Sequence, residues 1–415
     1  MKPALAVAAA AFVAYLPSFW GVFHFDDYNV IVHYPTVHSW EALAERAGGG
    51  VRPLLKASYT LNWTLGFGFS FFNIAVHAFN AALLFLIGSR LFKNPTASLV
   101  AALLFALHPA ATEAVTYISG RSSSLMAAFY LGAMLAYLHG HRFASAALFV
   151  LAVATRETAV TLPAALLLCE LSVGTAWREI LRRQWPHWAL LAAGGVFILL
   201  NQRYFDLVAY GFGERGLADN LLTQVGGVSY LVLRLIALHG YNIDPALPAL
   251  TAWTPTLVFQ TSLLTGLFLI GIFNLRSRPW IAFGILWFFL QLAPTNSIVP
   301  RLDVANDRQL YLACWGLFLA LAVQLKAHLK LSIPILLAFA VASVARQLDY
   351  ASEIALWESS VAGAPWNARG HNNLGYAYQL AGRAEDARRE YQMALLVDPW
   401  HAKARFNLMF LEPKR

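Results

Sequence analysis

The sequence predicts an all-α polytopic membrane protein with a small polar helical tail. Three observations predict it. Hydrophobic residues make up 59% of the 415 positions and charged residues only 13%, where a soluble domain carries about 25% charge. Apolar runs of bilayer-crossing length recur along the chain. From about residue 347 the composition turns polar, rich in Ala, Arg, Glu and Asn, with helical periodicity.

The remaining composition excludes other classes. Mean hydropathy is +0.55, too high for a soluble domain with a large core. The formal charge of +8 implies no nucleic acid, because basic cytoplasmic loops and anionic headgroups account for it. Cys169 and Cys314 both lie in apolar runs, against a disulfide framework or a thiolate metal site. The first apolar stretch runs through Phe19-Trp20 without a cleavage signature, so it reads as a span in preference to a removed signal.

Spans are expected at roughly 4–20, 72–91, 96–112, 122–140, 143–155, 158–174, 187–203, 256–275, 279–293, 309–326 and 331–346, about eleven in all. Within the first long loop, the stretch around Trp40-Glu41 and Glu45 is expected as a short amphipathic helix on the membrane. The run 221–239 is interrupted by Gly226-Gly227 and Arg234, and is expected to be re-entrant or interfacial. Lys93, His141-Arg142, Arg178, Arg182, Arg183, Arg276, Arg278, Lys326 and Lys330 then fall on one side, cytoplasmic by the positive-inside rule. The other side takes the 21–70 loop with Gly48, Gly49 and Gly50, the 108–121 turn, Arg156-Glu157, the 204–220 and 294–308 loops, and the tail. That face looks onto the periplasm of a bacterium or the lumen of a eukaryotic compartment.

The tail fits a 34-residue helical repeat. With Ala368 first, Leu374, Gly375, Tyr378, Ala387, Tyr391, Ala394 and Pro399 fall on template positions, and Trp357 and Pro365 repeat Tyr391 and Pro399 one period earlier. The expectation is a tetratricopeptide-type domain over 347–415, following a membrane domain over 1–346, and a possible docking place for a partner protein.

The residues that suggest chemistry lie on the non-cytoplasmic face. Asp26-Asp27 stands where the first span leaves the bilayer. Adjacent carboxylates resist joint ionisation, which suits a general base, a metal ligand or a phosphate-site organiser. His108-Pro109, Glu113 and Ser119-Gly120-Arg121 gather at one depth, and ionisable groups in membrane are costly enough to imply function. The His108/Glu113 spacing does not match a zinc helix, so no metal is assigned. Arg156-Glu157 reads equally as an ion pair in a tight turn or as a substrate contact. Arg301, Asp303, Asp307, Arg308 and Tyr311 form the last cluster, whose arginines can fork onto phosphate. Cations and carboxylates on one face suit a substrate with a lipid tail and a charged phosphate. No Walker loop, haem pair or dinucleotide fingerprint is present.

The order of these motifs resembles the TMTC family of transmembrane O-mannosyltransferases and its bacterial relatives, in the GT-C glycosyltransferase superfamily. The resemblance runs from the acidic pair through Arg52-Pro53-Leu54, His108-Pro109, Glu113, Ile118 to Arg121, Arg156-Glu157 to Pro163 and Asp307-Arg308-Gln309 to the repeats. It implies a GT-C membrane fold, a polyprenyl-phosphate-linked sugar donor and a Ser or Thr hydroxyl of an exported protein as acceptor. Asp26, Asp27 and Glu113 become the catalytic candidates, with Asp26 favoured as base. Arg52, His108, Arg121, Arg156 and Arg308 become the donor-phosphate and substrate candidates. Arg156-Glu157 stands where the family has Lys-Glu, and Asp307-Arg308-Gln309 where it has Glu-Arg-Tyr. No cofactor is implied; a monophosphate leaving group makes a divalent metal less necessary and leaves the question of one open. The implied location is a bacterial inner membrane with the site and tail periplasmic. The alternatives are transfer to a lipid or surface glycan, and a non-catalytic scaffold that docks partners through its repeats.

Overall fold

The structure, a computed structural model, describes residues 2–46, 51–66, 68–325 and 328–411; glycines 48–50 and Lys326 lie outside them. Among the described residues the regular structure is helical, with no β-strand. In chain order the first helices are α1 (Lys2–Ala14), α2 (Trp40–Glu45), α3 (Pro53–Leu65), α4 (Phe69–Phe92), α5 (Pro95–Leu107), α6 (Thr112–Val115), α7 (Arg121–Leu138), α8 (Arg142–Thr155) and α9 (Leu162–Ser172). There follow α10 (Trp177–Leu200), α11 (Gln202–Glu214), α12 (Leu217–Ile236), α13 (Pro255–Phe273), α14 (Pro279–Leu292), α15 (Leu310–Leu325) and α16 (Leu329–Asp349). The tail holds α17 (Glu353–Gly363), α18 (Ala368–Leu380), α19 (Ala384–Val397) and α20 (Ala402–Leu411).

Each expected span has its helix. Length and composition by themselves license four crossings, α4, α13, α16 and Asp307–Leu325, and a fifth if α5 and the following segment to Val115, bent by 56°, count as one. The apolar helices α1, α8 and α14 are shorter. Helix α13 buries little of its surface in the protein and presents Phe259, Leu263 and Phe268 outward, as a lipid-facing helix does. Two expectations change. The Gly226-Gly227 pair does not break the 221–239 run, against its re-entrant alternative: α12 is one continuous helix as far as Ile236, and it buries one face, Asn220, Thr223, Gln224, Gly227, Val228, Leu231 and Leu235. Gly227 allows this, because a Cβ there would meet Val304 at 3.0 Å. The 204–220 segment is largely helical, as α11 and the start of α12.

The core is a bundle in which α4 packs against α1, α5 and α7, and α15 against α5 and α14. Helices α14 and α15 approach backbone to backbone at Gly284 and Gly316, where either added Cβ would sit within 2.5 Å of the opposing carbonyl oxygen. Small residues at a helix crossing substitute close van der Waals packing for the hydrophobic effect that lipid cannot supply. Inside the bundle, His77 and Asn80 of α4 hydrogen-bond the Tyr311 hydroxyl of α15 at 2.9 and 3.0 Å. Buried polar groups must be paired, and this network ties α4 to α15.

The bundle has two chemically different ends. Arg90 donates to the Leu138 carbonyl, and Arg142 to that of Arg182, so the basic loops meet at one end. Arg121 begins α7 at the other, at the opposite end of the helix from Leu138, about 26 Å along the axis. The loops carrying the candidate residues gather there, capped by the tail. Ser352 and Asn367 cap α17 and α18 by accepting backbone N–H groups at 3.1 Å, as N-caps do. A Cβ on Gly375 would lie 2.7 Å from the Tyr391 ring, so glycine lets α18 close on α19. Ala387, Tyr391 and Ala394 are buried in that seam.

Candidate functional site

A cleft opens at the capped end of the bundle. Its walls include Asp26, Glu113, Tyr117, Asp244, Asp303, Asn306, Arg308 and Arg369. The cavity itself is about 90 Å³, which admits several waters but not a lipid-linked sugar without widening.

The two members of the acidic pair have different surroundings. Asp27 is buried; its Oδ2 accepts the His24 N–H at 3.0 Å and its Oδ1 the Ser119 N–H at 2.7 Å. It staples the first loop to the 112–120 segment. Burial pushes its carboxyl up to about 7, against the pull of those N–H groups and of His24. Asp26 turns its carboxyl to the cleft, and its backbone N–H donates to the Tyr117 hydroxyl at 3.0 Å. Burial also raises the Asp26 carboxyl above its ordinary range; Arg308 and Arg369 draw it down, while Asp303 pushes it further up.

Glu113 reaches the same cleft from α6. Its Oε2 accepts the Arg308 backbone N–H at 3.0 Å, and its Oε1 lies 3.5 Å from Arg308 Nε. Gly120 makes this packing possible, because a Cβ there would stand 2.0 Å from the Glu113 carbonyl oxygen. The Ser119-Gly120-Arg121 motif thus has three separate tasks. Ser119 binds Asp27, Gly120 lies against Glu113, and Arg121 turns inward.

Of the sequence-predicted residues, the structure brings Asp26, Glu113 and Arg308 onto one cleft. It does not bring His108 or Arg121 there. His108 is buried at the α5 bend, accepting the Ala110 N–H at Nδ1 and bonding the Leu235 carbonyl through Nε2 at 3.2 Å. Arg121 is buried among protein partners: Nε to Asn73 Oδ1 at 2.6 Å, and Nη1 and Nη2 to the Ser58 and Phe69 carbonyls at 3.1 Å each. Its guanidinium also faces the Tyr59, Phe69 and Phe72 rings. It orders the α3–α4 corner. The Arg156-Glu157 pairing is replaced: Glu157 takes a fork from Arg52, at 2.9 and 2.6 Å, and Arg156 donates to the Ser122 and Ser123 hydroxyls. Although desolvation raises it, the Arg52 fork holds the Glu157 carboxyl down at about 2.

Carboxylates and arginines meet in the cleft: Asp26, Glu113, Asp244 and Asp303 line it with Arg308 and Arg369. Outside the lining, Arg52, Arg156 and Arg301 act electrostatically on one another, and Arg308 acts on Arg156 and Arg301. Burial and then Arg308 press the Arg301 guanidinium below its usual range. Glu157 pairs with Arg52 in that group, and Glu113 with Arg308. Among the described residues no three His, Cys, Asp or Glu side chains gather as a metal site.

Lining residues Asp244 and Arg369, and Glu353 which bonds the lining residue Phe25, escaped the sequence reading. Asp244 lies in the irregular 237–254 segment, and Arg369 and Glu353 in the tail. A buried acid before proline in an otherwise apolar stretch, Asp244-Pro245, is the signal that was available for the first. The two tail residues had none, because a polar helix displays many such charges.

No protein-family profile matches the chain. It is 24% identical to a protein O-mannosyl-transferase of Caenorhabditis elegans over 442 residues, covering 95% of this chain and 62% of that protein. It is 31% identical to protein O-mannosyl-transferase TMTC3 of Mus musculus over 33% of this chain and 17% of that one. It is 32% identical to protein O-mannosyl-transferase Tmtc1 of Drosophila melanogaster over 40% and 22% respectively. The chain thus spans under two thirds of the length of the curated relatives it matches. Those relatives are protein O-mannosyl-transferases, several of them TMTC proteins by name, which is the family that the order of motifs resembles.

Proposed function

We propose that the chain is a membrane glycosyltransferase that moves a sugar from a polyprenyl phosphate to a Ser or Thr hydroxyl of an exported protein. The observation that carries this reading is the meeting of Asp26, Glu113 and Arg308 on one cleft. The Asp26 carboxylate takes the acceptor hydroxyl proton as that oxygen attacks the anomeric carbon. The bond from that carbon to the phosphate oxygen breaks on the opposite face, with inversion, and its electron pair leaves with the polyprenyl phosphate. Arg308, backed by Arg301, Arg52 and Arg156, meets the charge that grows there. Glu113 orients Arg308. Asp27 fixes the loop and does not touch substrate.

The protein acceptor and mannose follow the relatives' names. The apolar surface that the tail leaves exposed, with Leu396, Trp400 and Phe406, is in keeping with a protein partner. In a bacterium the site and tail would lie on the periplasmic side of the inner membrane, since the basic loops meet at the other end of the bundle. Mass spectrometry of exported proteins from cells with and without the gene tests this. A hexose missing from a Ser or Thr peptide in the deletion is the expected outcome. Loss of sugar from a lipid or surface glycan alone would assign the acceptor to that class instead.

A further inference from the structure

The tail does more than follow the membrane domain: it reaches both rims of the cleft. On one rim, Glu353 Oε1 accepts the Phe25 N–H at 3.0 Å and lies 3.3 Å from His24 Nδ1, while its Oε2 accepts Trp357 Nε1 at 2.8 Å. The Trp357 ring stands edge-on to Phe25, with centroids 5.3 Å apart. Phe25, immediately before Asp26, has φ +42, a backbone state that persists only when its surroundings impose it. On the other rim, Arg369 forks onto Asp244 with two bonds of 2.6 Å and reaches Asp303 at 2.9 Å. Ser360 and Asn242 bond each other, and the Asn242 N–H donates to Asp307, the neighbour of Arg308, at 3.1 Å.

We infer that the tail is a working wall of the transfer site, with Glu353 and Arg369 as positioning residues: Glu353 sets the backbone that aims Asp26, and Arg369 draws two mutually repelling aspartate loops together across from it. The inference rests on reading the cleft as the transfer site. Asp244 is buried, and without the Arg369 charge Asp244, Asp303, Asp26 and Glu113 would share one cleft with Arg308 alone, which lies against Glu113. A planar fork meets two carboxylates at once in a way an ammonium does not, so Arg369→Lys is expected to restore only part of the function.

The test uses the full chain in lipid nanodiscs with a short-chain polyprenyl-phosphate mannose, reading mannose released to water, which requires no identified acceptor. Arg369→Gln is expected to lower kcat about tenfold to a hundredfold, the cost of a displaced reacting group, with the donor KM little changed, since Arg308 and its Glu113 partner are untouched. Backbone amide exchange over 242–247 should quicken. Adding Asp244→Asn should recover part of the loss, because it removes the repulsion that Arg369 answers. Wild-type kcat in Arg369→Gln, or unchanged exchange over 242–247, overturns the inference. Should the wild-type chain release no mannose, the transfer reading fails, and the exchange measurement still decides whether Arg369 holds the rim.

Discussion

Two neighbouring aspartates carry one charge type and stand in two different settings. Asp27 has both oxygens on backbone N–H groups, from His24 and Ser119; Asp26 faces the cleft. Asp27→Asn keeps one acceptor oxygen and leaves one of those buried donors without a partner, which costs about 1–3 kcal/mol. It should lower thermal stability and reduce transfer only as far as the loop loosens. The pH dependence follows from Asp26. The proposed base would act ionised, and burial raises this carboxyl above 3.8, so under that proposal activity should be lost as pH falls through a value above that of a free carboxylate. Arg308→Gln removes the charge that draws Asp26 down, and the acid limb of the kcat/KM profile should move to higher pH. A limb that stays in place would separate Arg308 from Asp26. The sequence marked the pair but not its division, because which aspartate turns inward depends on Ser119, 92 residues away.

Among elements, the short α6 with its flanking turns is the most constrained. It carries Glu113, Ser119 and Gly120 past the Asp27 loop. Gly120→Ala forces a Cβ against the Glu113 carbonyl, an overpacking that costs about 1–3 kcal/mol. Stability and transfer should fall together in that variant, measured by thermal unfolding and donor turnover. In the tail, His371 of α18 meets Glu390 of α19 at 2.7 Å, and that contact chiefly raises the His371 pKa above 6.5. A raised histidine stabilises fully below its unfolded pKa and loses that contribution as pH rises through the folded one. The tail should therefore unfold more readily at alkaline pH, and His371→Gln should flatten that dependence. Helix positions were legible from the apolar runs and the 34-residue period. The helices of the long loops were less so: α11 is strongly amphipathic, and the Gly226-Gly227 pair of α12 reads as a break until Val304 is seen beside it.

At the scale of the whole molecule, the tail and the membrane domain share a buried cluster in which Tyr117 and Ile243 pack with Trp357, Leu356 and Leu374. Sequence composition divides the chain near residue 347, yet the packing crosses that boundary, since a composition shift records solvent exposure and not the contacts made at a seam. A chain ending after Asp349 would expose Tyr117 and Ile243 and lose the Glu353 and Arg369 contacts. It should insert but aggregate or unfold at lower temperature, as monodispersity in detergent would report. The most direct measurement of the account is sugar release from polyprenyl-phosphate mannose by the wild-type chain and by Asp26→Asn, with Asp27→Asn beside them. The account predicts turnover in the wild type, none above background in folded Asp26→Asn, and a partial loss in Asp27→Asn that tracks its stability. Undiminished turnover in Asp26→Asn would contradict it.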